Sequence, residues 1–303
     1  MPIKYLSREE LDDVKYNNCI AESKQALLYG YTWYLDIVCD RWDVLVLGDY
    51  VAVMPVPWRK KHGIKYVYPP FWILELGVFS LNEKIGIQSF LDVLYGKFRF
   101  IESRLNTRNH IEKKSPHILT KEMQVLSLHS DHDAILNTYR KDRRKDLGRA
   151  NTSGLKEKWG DAPEQLITLF KNNVGQRTPN IKKADYQVLE QIMNICLVKK
   201  IGEILSIYDD KDHLVASGFF LKHKDTVTLL VSSTDFKNRK NGANTFLINS
   251  AIYKYQKDFG VFNFGGSSMQ SIAKYFLSFG AETHKYQQIK YHNLPYLVTL
   301  FKH

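Results

Sequence analysis

The chain has 303 residues, 44% of them hydrophobic and 13% aromatic, with 43 Lys and Arg against 32 Asp and Glu for a formal charge of +11. Such length and apolar content exclude a disordered chain and supply the core of one large domain or two ordinary ones, and the basic excess calls for an anionic partner, whether coenzyme, nucleic acid or membrane surface. The charged N-terminus MPIKYLSREELDD and the lack of any apolar run near the roughly 20 residues of a membrane span predict a cytoplasmic protein. Cys19, Cys39 and Cys196 are scattered among apolar neighbours without CxxC spacing and read as reduced core residues, and the dispersed histidines predict no metal site.

In chain order, residues Glu9 to Asp40 hold a helical run that closes on the aromatics Tyr29, Tyr31, Trp33 and Tyr34, which read as core. Trp42 to Trp58 gives two apolar strands around Gly48-Asp49, a hairpin signal; Ile64 to Trp72 is a strand broken by Pro69-Pro70; Ile85 to Tyr95 is amphipathic; Phe98 to Asn106 alternates as a strand. Together these predict a mixed α/β unit ending near Lys121. Beyond Ser130, which can cap with Asp133, the run DAILNTYRKDRRKDLGRA predicts one helix with positive charge around most of its circumference. On it Arg143 and Arg144 are the candidate ligands for an anionic substrate, expected to be exposed and removable with little loss of stability, since guanidinium forks fit phosphate and carboxylate.

From Leu155 the order of elements is strand, two helices (Pro163 to Asn173 and Ala184 to Lys199), and a hairpin turning at Asp209 to Asp212. The strand TVTLLVS (Thr226 to Ser232) follows, then a polar loop to Asn241, then Gly242 opening a helix that runs to Gly260. VFNF (Val261 to Phe264), Gly265-Gly266-Ser267 and a helix stopped by Gly280 complete a second strand-turn-helix unit. The helix between Thr226–Ser232 and Val261–Phe264 predicts that these strands are parallel neighbours. The final HKYQQIKYHNLPYLVTLFK predicts two edge strands of the same domain. A loop bearing Arg239 and Lys240 that passes through Gly242 into a helix N-terminus suits a phosphate, because the first helical turn leaves N–H groups unpaired at the positive end of the dipole. Gly242→Asp is then expected to abolish phosphate binding with the fold retained.

RKNGAN at the helix start and NFGGSSMQSIAKYFLSFGAETHKYQQIKY near the C-terminus resemble the acyl-donor half of the GNAT fold and the C-terminal signature of FemAB-like proteins, two-domain GNAT-fold acyl or aminoacyl transferases. The resemblance extends over nearly the whole chain and is strongest from Ala216 to Tyr291. It implies an α/β fold of two tandem GNAT-like domains, residues 1–122 as a degenerate copy without a donor loop and residues 123–303 as the donor-binding copy. The implied activity is N-acyl transfer from acyl-CoA to an amine acceptor. The donor would lie along Val231 and Ser232 and over Arg239, Lys240, Asn241, Gly242, Ala243 and Asn244. A backbone N–H at the end of the strand, at Ser233, would bind the oxyanion, Asp235 or His223 would relay a proton, Tyr275 would protonate the thiolate, and Ser267 would join Arg143 and Arg144 at the substrate. Alternatives are an aminoacyl-tRNA-dependent transferase, for which the basic helix would bind tRNA, and a binding protein on a decayed scaffold. The sequence departs from the pattern at Asn244, where Gly or Ala is usual; at Gly265, where relatives often carry an acid; and at Phe276, which takes the place of the thiolate-protonating Tyr.

Overall fold

The computed structural model describes residues 2–112, 115–237, 239–266 and 269–293. The chain forms two compact units, one of residues up to Lys121 together with the described residues from Lys285 onward, the other of Glu122–His284.

The first unit comprises β1 (Ile3–Leu6), α1 (Asp13–Glu22), α2 (Thr32–Val38), β2 (Trp42–Leu47), β3 (Ala52–Lys61), β4 (Ile64–Val67), β5 (Phe79–Ser80), α3 (Gln88–Lys97) and β6 (Phe100–Arg104). The helical run expected over Glu9–Asp40 is interrupted between α1 and α2. Ser23 ends α1 in an extended conformation, and the intervening Tyr29 is pulled into the core, where Tyr34 of α2 is also buried. β2 and β3 pair as the expected hairpin, Leu47 opposite Ala52. The strand order is β1-β2-β3-β4-β6 and then β13 (Glu282–His292), with β5 on β3. Gln288–His292 of β13 pair antiparallel with Phe100–Arg104. The last segment therefore does not stay with the second domain: Ile289 of β13 is fully buried in the apolar core around Phe90, Leu94 and Ile101, and that burial sets its allegiance. The second expected edge strand lies outside the described residues.

The second unit begins with the greater part of β7 (Ile118–Ser127) and continues through α4 (His132–Thr138), α5 (Lys141–Thr152), β8 (Lys156–Trp159), α6 (Pro163–Asn172), α7 (Lys183–Val198), β9 (Gly202–Tyr208), β10 (Leu214–His223), β11 (Thr226–Thr234), α8 (Ala243–Tyr255), β12 (Val261–Gly266) and α9 (Gln270–Leu277). Its strands run in the order β7-β12-β11-β10-β9-β8. β11 and β12 are parallel, Thr226 opposite Val261 and Thr228 opposite Asn263, as the intervening helix requires. The remaining neighbours are antiparallel. Leu205, Phe220, Leu247, Ile252, Phe262 and Phe279 form one core in which strands meet α8 and α9. Each such side chain contributes roughly 1.5–3 kcal/mol by leaving water.

The single helix expected over 133–150 is two. Asp131, not Ser130, caps α4, its carboxylate accepting the Ala134 N–H at 2.8 Å. Tyr139 then turns extended so that its ring is buried against Phe279, and the Arg140 N–H bonds to the Ser278 carbonyl at 3.0 Å before α5 starts. Burial of one aromatic outweighs two residues of helical hydrogen bonding.

Candidate functional site

The parallel ladder of β11 and β12 covers Thr226–Thr228, while β11 runs on to Thr234. A bulge at Leu230, between the pairs Phe220–Leu229 and Phe219–Val231, bends β11 as it leaves its partner. Val231 is buried and Ser232 half-buried beyond the bulge. A short 3-10 turn (Arg239–Asn241) leads to Gly242 at φ 81 and ψ 9, the left-handed residue that caps α8. Asn241 Oδ1 accepts the Ala243 N–H at 2.9 Å. The first donor of the helix is thus satisfied by its own loop, which leaves the N–H groups of Asn244 and Thr245 as those that the helical ladder does not use.

Gly242 serves packing as well as turning. A Cβ there would fall on the Asp146 carbonyl oxygen and come within 3.1 Å of Ala150 Cβ, so α5 rests directly on the start of α8. The expectation that an Asp is tolerated at this position is therefore overturned, because both the left-handed backbone and the helix overhead reject a side chain.

Arg143 is the largest departure from expectation. It is buried, with its Nη1 donating to Thr245 Oγ1 at 2.6 Å, its Nε donating to Ser278 Oγ at 2.9 Å, and its Nη1 paired with Asp146 Oδ2 at 2.9 Å. Its guanidinium also lies 4.4 Å over the Tyr275 ring. One cation thus ties α5, α8 and α9 together, which contradicts its reading as an exposed, removable charge. Arg144 is exposed, as are Lys141, Lys145 and Arg149. The charge of α5 is divided: Arg143, Asp146 and Ala150 face inward, and the outward arc is basic.

Tyr275 points its hydroxyl at this cluster, 3.4 Å from Thr245 Oγ1, with further hydrogen bonds to Arg143 and the Asn244 side chain. Burial raises its phenol above the ordinary range, those hydrogen bonds opposing the shift, so it stays protonated and able to donate at neutral pH. Phe276, its neighbour, is turned away and stacks on Phe264 at 4.8 Å. Asn244, out of place against the GNAT pattern, has a structural use here in holding Tyr275. Gly265, at φ 74, occupies the break in the β7–β12 register, and its N–H is held by Asn263 Oδ1 at 2.8 Å. An L-residue would be strained there.

The remaining candidates separate. The Ser233 hydroxyl donates to the Leu169 carbonyl at 3.2 Å, tying α6 to β11. Asp235 follows β11 directly, its N–H on the Val215 carbonyl at 2.9 Å and its Oδ1 accepting the Lys237 N–H at 3.0 Å. Lys240 is exposed. His223 pairs with Thr226 at the opposite end of β11 from Ser233, and burial pushes its imidazole down to about 4. It does not join the cluster. Ser267 lies outside the described residues. Thr245, Ser278 and Asp146, missed by sequence reasoning, complete the cluster; only the i, i+3 spacing of Arg143 and Asp146 hinted at any of them.

No protein-family model and no curated protein matches this sequence. Among solved structures the chain is similar to FemX, with a TM-score of 0.67 at 11% identity and 100% of each chain covered. It is also similar to L-PGS from Bacillus licheniformis, with a TM-score of 0.55 at 10% identity and 95% of each chain covered. A tandem GNAT protein from the clavulanic acid biosynthesis pathway matches with a TM-score of 0.54 at 8% identity, over 95% of this chain and 98% of that one. Among the described residues no helix is long and apolar enough to cross a membrane, and no group of three His, Cys, Asp or Glu side chains is placed to hold a metal.

Proposed function

Because the chain has the two-unit, FemAB-like GNAT fold, we propose that it is an N-acyltransferase whose second unit takes an acyl-CoA as donor and passes the acyl group to an amine. The observation that carries this reading is the start of α8. β11 runs on past its parallel ladder with β12, and the loop that follows it leads to a left-handed glycine that opens α8, so a pantetheine chain along the freed edge of Val231 and Ser232 would lead its phosphates to the N–H groups of Asn244 and Thr245. Buried Arg143, paired with Asp146, donates to Thr245 Oγ1 and so fixes the first turn of α8 at the same point. The amine nitrogen attacks the thioester carbonyl, the C–N bond forms as the C–S bond breaks, and the thiolate leaves with a proton from the Tyr275 hydroxyl. The proton released by the amine passes to solvent or to the Asp235 carboxylate at the end of β11.

A second reading, transfer from an aminoacyl-tRNA, is favoured by the outward arc of α5, where Lys141, Arg144, Lys145 and Arg149 are all exposed beside the loop of Lys240. Calorimetric titration with acetyl-CoA and with tRNA at two salt concentrations separates the two. Saturable acetyl-CoA binding that changes modestly with salt supports the first reading. Tight tRNA binding that weakens steeply with salt, with no affinity for acetyl-CoA, supports the second. Affinity for neither points to a scaffold that has lost its chemistry.

A further inference from the structure

Deepening the acyl-transfer reading on which it rests, we propose that Arg177 binds an anionic group, carboxylate or phosphate, carried by the acceptor amine. The C-terminal end of β11 and the chain beyond it are fastened to α6 and the turn that follows it. Ser233 Oγ donates to the Leu169 carbonyl at 3.2 Å, Asn173 Oδ1 accepts the Phe236 N–H at 2.8 Å, and the Arg177 guanidinium lies 4.3 Å over the Phe236 ring. Asn173 is buried and spends its amide Nδ2 on the Leu169 carbonyl at 2.9 Å. Gly175 is hemmed in by the Tyr186 hydroxyl and the Phe170 carbonyl, so the 3-10 turn Val174–Arg177 has little freedom.

This support places a guanidinium over the ring of Phe236, the residue after Asp235 at the end of β11. Stacking leaves the in-plane N–H fork available, the geometry that takes a carboxylate or phosphate bidentately. Arg177 is exposed, and among the described residues it forms no ion pair. Lys171, with its ammonium 5.0 Å over the Tyr186 ring, adds to the positive potential. Phe236 lies in the turn two residues beyond Thr234, the last residue of β11, so a lysine-sized molecule can place its amine at the strand end and its acid on Arg177. A diamine of the same length without the acid group meets only repulsion there.

The experiment compares L-lysine, cadaverine (the same diamine without the carboxylate) and O-phosphoethanolamine as probes. Their binding to the whole protein is measured by calorimetry without donor, and their acetylation by thiol release from acetyl-CoA. Wild type is expected to prefer L-lysine or O-phosphoethanolamine to cadaverine by about 10-fold or more, and the better of the two acids identifies carboxylate or phosphate as the natural group. Arg177→Ala should erase the preference with an unchanged thermal midpoint, and Arg177→Lys should restore only part of it because a single ammonium lacks the fork. Equal binding of cadaverine by wild type, binding of none of the probes, or a preference that survives in Arg177→Ala would overturn the proposal. If acetyl-CoA fails to bind while the Arg177-dependent preference stands, the donor reading fails and this one holds. If acetyl-CoA binds and no such preference exists, the reverse is true.

Discussion

Between its parallel strands the first unit links β4 to α3 by a long segment held against the residues that follow β6. The second links β11 to α8 by a short basic turn. In the first, Gly77 at φ 114 abuts Asn109, whose Oδ1 accepts the Val78 N–H at 2.6 Å, while buried Glu75 accepts the Thr107 N–H at 3.1 Å. α3 then begins after Ile87, an ordinary right-handed residue with no capping side chain. In the second, α8 begins at left-handed Gly242 beneath α5, with a buried guanidinium on its third residue. The same strand order thus holds a long connection and an ordinary helix start in one unit, and a short loop, a left-handed glycine and an adjoining buried guanidinium in the other. Topology supplies the helix dipole and the unpaired first-turn N–H groups in both; only the second sets beside them a left-handed glycine and a buried guanidinium.

The largest expected contrast is between glycines. Gly242→Ala should cost about 2–5 kcal/mol, combining a left-handed φ with overpacking against Asp146 and Ala150, whereas Gly86→Ala just before α3, with open space around it, should stay within about 0.5 kcal/mol. Denaturant midpoints would measure both, and similar losses would erase the distinction between the two helix starts.

Next comes the arginine pair. Arg143→Ala removes the partner of Thr245, Ser278 and Asp146 and should cost about 3 kcal/mol, while exposed Arg144→Ala should cost under about 0.5 kcal/mol and show in salt-dependent anion binding instead.

Glu75 sharpens the comparison from the first unit. Burial raises its carboxyl to about 7 from an ordinary 4.5, the Thr107 N–H opposing only in part. The folded state then holds a proton that the unfolded state has released. Stability should be greatest below about pH 4.5 for this group, fall as pH rises toward 7, and level off above, a total on the order of 3 kcal/mol. Glu75→Gln should flatten that slope in stability curves measured across the range; an unchanged slope would assign it to another group.

The smallest effect concerns Tyr275→Phe, expected to lower acetyl transfer about 10-fold while leaving acetyl-CoA affinity near wild type, since a thiolate is a good leaving group and needs little acid assistance. Assays of turnover and binding on the same variant separate this outcome from a loss of folding.

Much of the second unit was legible because its signals are local. The strand signal of Thr226–Ser232, the turn at Asp209–Asp212, and glycine before the α8 periodicity each depend on a few adjacent residues, and the parallel pairing of β11 with β12 follows from the helix between them. The inward turn of Arg143 was not legible. Its charge equals that of Arg144 beside it, and what distinguishes them is a rotation of about 100° on α5 that brings one against Thr245 and Ser278, residues more than a hundred positions away.

The sequence by itself determined the type of most elements and the helix that opens at Gly242, since periodicity and turn chemistry act within a few residues, while the two GNAT-like α/β units were implied by the family resemblance alone. Only tertiary structure decided that Tyr139 breaks a basic helix in two, that β13 pairs with β6, that Gly242 lies beneath α5, and that Tyr275 rather than Phe276 reaches the first turn of α8. Each of these was settled by burial or hydrogen bonding between segments distant in the chain, where the apolar area hidden or the polar atoms satisfied outweigh local preference.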